Sequence, residues 1–369
     1  MSEAQAPDRI ERLRTALTKR DLDAMVAAGT DATTHLCGYW RYFGSPTAVV
    51  VDREGERTLV VQSDEAEAAR AGSYAEHVVA YGSRGFGLVP DQQPLLAAAV
   101  ASVKSVAGAS CLGVASGGIQ FPALLRPLIR AEVENLDTDL RALALIKDAD
   151  ELARIGDAYR LAWAAQRAVR DAAAPGVSEI ELFTTGLAAA QNAAGEPIVF
   201  VGDLLCGERS AEVCAPVRVA GRTRVEPGDA IIVDLTVGHR GYFGDTAETI
   251  APDDGGVVAE TRSELTVILE QAARLLTPGR LANEVFAAMR DAIAETFTGG
   301  EFPHHGGHGV GISPFADPHV IPEDTTPLAA GMVIALEPGV YFKGRFGARI
   351  ERMYVVADSG GVEIGQEHA

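Results

Sequence analysis

Cysteine is scarce in this chain. Only Cys37, Cys111, Cys206 and Cys214 occur among 369 residues, with no Cys-x-x-Cys pair, so there is no dense disulfide framework and reduced thiols in a cytoplasmic protein are the expectation. Positive charge is also short. Lys and Arg number 32 against 51 Asp and Glu, a formal net charge of -19, so the electrostatic attraction needed to bind nucleic acid or an anionic membrane is absent. No run of 18 apolar residues occurs and the stretch Met1 to Asp8 has no apolar signal region, which again points to the cytoplasm and away from the membrane. No internal repeat or long low-complexity tract is visible. What remains, 47% hydrophobic and 22% charged residues, describes a globular protein long enough for two domains with substantial cores.

The first part of the chain alternates helical and strand patterns. Ile10, Leu13 and Leu17 recur at helical spacing, Asp23 to Ala27 reads as a strand, and Ala48 to Val61 as a hairpin turning at Arg53-Glu54-Gly55-Glu56. The loop Gly38 to Gly44 is unusually aromatic, with Tyr39, Trp40, Tyr42 and Phe43, rings expected to pack the core or a subunit interface. Near Leu143 to Glu151 the pattern changes, and Asp148 with Glu151 has the spacing of a capping box at a helix start. The expected organisation is an α/β protein with domains at 1–144 and 145–369. In the second domain, helices through Arg170 and from Ser178 to Ala193 precede strands and a helix near Glu260 to Leu276.

Acidic residues inside strands carry the chemistry. In Asp229-Ala-Ile-Ile-Val-Asp234-Leu-Thr-Val-Gly-His-Arg-Gly-Tyr-Phe-Gly-Asp245, an apolar run enters, Gly238 to Gly241 turns, and Tyr242 with Phe243 returns. A turn centred between His239 and Arg240 sets Asp234 directly opposite Asp245, with Cβ atoms about 5 Å apart. Two carboxylates that close repel, and strand interiors disfavour Asp, so a bound cation is the simplest compensation. Val333 to Tyr341 and Ala348 to Val356 repeat the theme, each an apolar run interrupted by one glutamate, Glu337 or Glu351, with Phe342 to Gly347 as the link. Between the two hairpins, Phe302-Pro-His-His-Gly-Gly-His308-Gly-Val-Gly311 sets histidines among glycines, which lets imidazole and backbone approach a ligand closely. Four carboxylates and one imidazole, Asp234, Asp245, His308, Glu337 and Glu351, suit two divalent cations with near charge balance.

The order Asp, Asp, His, Glu, Glu resembles the creatinase, prolidase and aminopeptidase P superfamily. The resemblance rests on the contexts Gly-Tyr-Phe-Gly-Asp245-Thr, Gly-His308-Gly-Val-Gly, Leu-Glu337-Pro-Gly-Val-Tyr and Arg-Ile-Glu351. It implies a creatinase-type N-terminal domain followed by a pita-bread catalytic domain with metals on the inner face of a curved sheet, and a homodimer. It also implies that Tyr341 and Arg349 stand close to the metals and that His304 keeps an upstream histidine position. Two departures stand out. Where the family's peptidases usually carry substrate histidines, this chain has Val217, after Pro216, and Phe315. Their replacement implies a more apolar pocket and weak cleavage of ordinary Xaa-Pro dipeptides, with His319 a possible substitute contact or a surface loop residue. Ala247-Glu248-Thr249 also replaces the family's Thr-Arg-Thr, putting an anion where a cation is usual; this reads as a rewritten surrounding of the metals. His305 is expected to be an exposed neighbour.

The function expected is a dinuclear-metal hydrolase (Mn, Co, Zn or Fe) of an amide or other C-N bond in a small molecule or short peptide, Xaa-Pro peptidase-like. Glu337 is the expected proton shuttle, with His304, Tyr341 and Arg349 giving polar guidance and Val217, Phe315 and His319 lining the pocket. A creatinase-like hydrolase of a guanidino or cyclic amide compound and a metal-dependent lyase are the alternatives.

Overall fold

Ile10, Leu13 and Leu17 do form one face, that of α1 (Arg9–Lys19), whose first turn is capped by the Asp8 carboxylate. The computed structural model describes residues 8–42, 44–82, 92–116, 120–212, 219–251 and 256–365. The chain divides into two units, one ending at Ala144 and the other running from Leu145.

The first unit is built on a sheet of β1 (Ala24–Ala28), β2 (Ala48–Asp52), β3 (Arg57–Gln62), β4 (His77–Tyr81), β5 (Cys111–Ser116) and β6 (Glu132–Asn135), in the order β4-β3-β2-β1-β5-β6. Its helices are α1, α2 (Thr30–Cys37), α3 (Ala66–Gly72), α4 (Gln92–Ser102), α5 (Lys104–Ala107), α6 (Gln120–Leu125) and α7 (Asp137–Leu145). Because side chains alternate along a strand, Met25, Ala27, Val49, Val51, Leu59 and Val61 pack on α1, α2 and α3, whereas Ala24, Val26, Ala48, Val50 and Val60 pack on α4, α5 and α6. The aromatic loop divides in role. Tyr39 is buried with its hydroxyl 3.1 Å from Glu65 Oε2, Tyr42 is exposed and meets Trp40 edge-on, and Phe43 lies outside the described residues.

The second unit opens with α8 (Ala149–Ala172), started by the capping box of Asp148 and Glu151, and α9 (Glu179–Ala194), started by Ser178 and Glu181. Three antiparallel strands follow, β7 (Val199–Cys206), β8 (Ile231–His239) and β9 (Tyr242–Ile250). Val233, Leu235 and Val237 turn one face of this sheet onto α8 and α9. On that face a Cβ at Gly244 would lie 2.2 Å from the Tyr159 backbone nitrogen, so helix and strand approach more closely than any side chain permits.

The β8–β9 turn differs from the expectation. Its loop is only Arg240-Gly241, both at positive φ (49° and 83°), and His239 pairs with Tyr242. This is a primed two-residue turn, whose twist matches that of the strands. The register therefore moves by two residues: Asp234 faces Ala247 and Asp245 faces Thr236. A shift of two preserves the face, so both aspartates stay on the side away from α8 but sit diagonally.

After α10 (Gly256–Ala273) and α11 (Ala282–Thr296) come β10 (Gly307–Gly309), β11 (Ala316–His319), β12 (Val333–Leu336), β13 (Gly339–Phe342), β14 (Phe346–Arg349), β15 (Arg352–Val355) and β16 (Val362–Glu363). β12 pairs with β15 and β13 with β14 in one continuous register. The Ile350 N–H donates to the Pro338 carbonyl across the interruption, which sets Glu337 opposite Glu351. β10 lies between β11 and β12, and a bridge from Ala247 to Glu351 ties this hairpin to β9. The curved inner surface is thus assembled from separate short sheets. Ile334, Leu336, Val340, Ala348 and Ile350 face the core formed with α10 and α11.

Candidate metal centre

Four strands meet at one buried point. Asp245 comes from β9, His308 from β10, and Glu337 and Glu351 from the ends of β12 and β15. Glycine makes the meeting possible at β10: Gly307 has φ +149°, and a Cβ there would lie 2.0 Å from the Ala335 carbonyl oxygen. His308 is thereby pressed inward, its Nε2 3.9 Å from Asp245 Oδ2, 3.6 Å from Glu337 Oε1 and 3.9 Å from Glu351 Oε1. Asp245, His308 and Glu351 each offer a ligand atom within 4.8 Å of the others, and all three are buried. Asp234 reaches the same region from β8, where the Arg349 guanidinium meets its Oδ2 at 2.6 Å.

The electrostatics follow from burial. It pushes the Asp234 carboxyl up to about 6 against the pull of Arg349, and drives Asp245 and Glu351 well above the carboxylate range, with the neighbouring carboxylates adding to the rise. Glu337 goes the other way: burial is opposed by the close His305 contact, which holds it at about 2. Burial lowers His308 and takes His304 down to about 4, leaving both imidazoles neutral and His308 in the form that ligates a metal. The Glu351 Oε1 atom is buried with no hydrogen-bond partner. An orphaned carboxylate oxygen among mutually repelling acids fits a cation, and hard oxygen donors with one imidazole fit a divalent one.

The surrounding residues fall out differently from the sequence reading in several places. His304, Tyr341 and Arg349 form a chain: His304 Nδ1 lies 2.7 Å from the His305 carbonyl, His304 Nε2 lies 3.0 Å from the Tyr341 hydroxyl, and Arg349 donates to that hydroxyl at 3.2 Å. All three are occupied with one another, and burial raises Tyr341 to about 12. His305 is not an exposed neighbour. Its Nδ1 is 2.9 Å from Glu337 Oε1 while about a third of its side chain stays exposed, and the Glu337 contact outweighs burial to raise its pKa. Phe315 is 59% exposed yet its ring lies 4.5 Å from that of His308, an apolar wall at the edge of the site. His319 belongs to strand β11, not to a loop, and is the cross-strand partner of His308. Val217 lies outside the described residues, as does Cys214. Cys206 ends β7 as a core thiol pushed up to about 12 by burial, which makes it unreactive.

The charge change at Glu248 does not alter the inner face of the candidate site. Glu248 sits on the α8 side of β9, where it pairs with Arg352 and lies 3.9 Å from Arg170. Arg352 in turn stacks over Trp163 at 4.5 Å. The residue that sequence reasoning missed on the inner face is Asp203, the β7 partner of Asp234, 3.2 Å from Arg349. Its only signal was an aspartate inside the apolar run Val199–Cys206.

Comparison with known proteins bears on this geometry. The model of metallopeptidase family M24 matches residues 153–358, and that of the creatinase/prolidase N-terminal domain matches residues 9–115. A Mycobacterium tuberculosis (strain H37Rv) protein named "Probable dipeptidase PepE" is 33% identical over 239 residues, 62% of this chain and 61% of that protein. The Xaa-Pro dipeptidase of Pyrococcus furiosus is 30% identical over 232 residues, 62% of this chain and 65% of its own. These matches therefore span less than two thirds of either relative's length. The crystal structure of the prolidase from Pyrococcus horikoshii superposes with a TM-score of 0.78 at 26% identity, over 97% of this chain and 98% of that one.

Proposed function

The chain belongs to metallopeptidase family M24, and from that premise we propose that it is a dinuclear-metal-dependent hydrolase of amide bonds in short peptides, Xaa-Pro dipeptidase-like. The observation that carries this is the convergence of Asp245, His308 and Glu351 within 4.8 Å, with Glu337 3.6 Å from His308. Asp234, Asp245, His308, Glu337 and Glu351 would hold two divalent ions of the Mn, Co, Zn or Fe kind. When bound, such a pair supplies Lewis acidity that activates water and polarises the amide carbonyl. The protein's own part is proton handling and orientation. Glu337 Oε1 can take and pass a proton, and His305 Nδ1, 2.9 Å away, holds that carboxylate in place. The Arg349, Tyr341 and His304 chain fixes the far side, and Phe315 covers the outer face of His308. We further take the domains as 1–144 and 145–369, the assembly as a homodimer and the compartment as the cytoplasm.

A second reading, a smaller non-peptide C-N substrate, is favoured by one observation: an exposed phenyl ring, where a polar donor would assist a peptide, packs on His308. The test is hydrolysis of Ala-Pro and Gly-Pro by protein reloaded with Mn or Co, beside cyclic amides and guanidino compounds. Metal-dependent cleavage that a chelator stops supports hydrolysis, and the preferred substrate decides between the readings. No metal-dependent cleavage of any of these would remove the proposal.

A further inference from the structure

The charge balance of the proposed site does not close on its ligands alone. Four carboxylates neutralise two divalent cations, which leaves the buried guanidinium of Arg349 in excess. A buried charge with few partners is costly, and a second anion beside the guanidinium relieves it. Asp203 is placed to be that second anion. It pairs across β7 and β8 with Asp234, and one nitrogen of Arg349 lies 2.6 Å from Asp234 Oδ2 and 3.2 Å from Asp203 Oδ2. The backbone fixes this arrangement. Gly202 has φ +153°, and a Cβ there would lie 1.9 Å from the Asp234 carbonyl oxygen, so β7 is pressed against β8 at the residue preceding Asp203 and the two carboxylates flank the same guanidinium.

We infer that Asp203 is a positioning residue of the metal centre: as second counter-ion of Arg349 it shares the guanidinium with Asp234, so that the Asp234 carboxylate does not carry that charge alone, and it completes the neutrality of the loaded site. The inference rests on the metal-centre reading above, but not on which substrate is cleaved. It makes Asp203 a determinant of metal affinity although it is not a ligand. Arg349, with its hydroxyl contact to Tyr341 at 3.2 Å, then transmits the state of Asp203 to the substrate side.

The test is calorimetric titration of Mn(II) into the chelator-stripped full chain, comparing the wild type with Asp203→Asn and Asp203→Glu. Loss of an outer partner of a ligand typically lowers metal affinity about 10- to 100-fold, which is the expectation for Asp203→Asn. Asp203→Glu, which keeps the charge, should stay within a few-fold of the wild type, and thermal unfolding of stripped Asp203→Asn should be no earlier than that of the stripped wild type. Should Asp203→Asn not fold, Asp203→Ser carries the same expectation. Mn(II) affinity in the neutral variant within twofold of the wild type overturns the inference and leaves the metal centre standing. A wild type that binds no Mn(II), Co(II) or Zn(II) overturns the metal-centre reading and this inference with it.

Discussion

Asp245 is buried among acids that raise one another, so its removal should separate function from stability. Asp245→Ala is expected to abolish metal-dependent turnover and lower bound metal, while the stripped protein unfolds no more easily than the stripped wild type because a repulsion has been relieved. Activity, metal content and denaturant midpoints check the three parts. The pH dependence follows from the same groups. Asp234, Asp245 and Glu351 have folded pKa values above their unfolded ones, so their contribution is full below about pH 4 and is lost as pH rises through about 6 for Asp234. Glu337, held near about 2, acts oppositely only below its unfolded value of about 4.5. His304 and His308, with lowered pKa values, drift the other way as pH rises, so the carboxyl contribution is read by difference: the stability advantage of stripped wild type over stripped Asp234→Asn should fall as pH rises from about 4 through about 6, and thermal midpoints of the two proteins over that range decide this. His305 offers a third prediction. With His304, Tyr341 and Arg349 engaged with each other, it is the histidine touching Glu337 that keeps an open edge. His305→Ala should lower kcat by about 10², with metal affinity by calorimetry changed far less; an unchanged kcat would remove its role.

At the scale of elements, Gly244 marks where α8 lies against β9. Gly244→Ala drives a Cβ into helix backbone at 2.2 Å, and overpacking against a rigid neighbour costs at least about 1–3 kcal/mol; urea unfolding of the stripped protein should register that loss, and an unshifted midpoint would mean the helix can move away freely. Much of this architecture was legible in the residues. The capping box of Asp148 and Glu151, the period of Ile10, Leu13 and Leu17, and the paired acidic strands are local patterns, and local patterns survive folding. What failed was register and long-range placement. Gly238 and Gly241 both invite a turn, and only the twist of the strands selects Arg240-Gly241. His305 read as exposed because its contact, Glu337, is distant in sequence, and Asp203 gains meaning only from its pairing across the sheet with Asp234. Glu248 was misjudged because a substitution next to the site in sequence faces the other side of the strand.

For the whole molecule, the account turns on metal. A ligand that binds only the folded state stabilises it by about 2.7 kcal/mol at a hundredfold excess over Kd, so Mn or Co should raise the thermal midpoint and a chelator should return it. The composition adds a condition: with a net charge of -19, cations are drawn to the chain generally, and only saturable binding weakened in Asp245→Ala counts. The most direct measurement is an anomalous difference map from crystals grown with Mn. The account predicts two peaks about 3.5 Å apart, enclosed by Asp234, Asp245, His308, Glu337 and Glu351. A map with no peak among these side chains, or with the side chains turned away from one another, would contradict it.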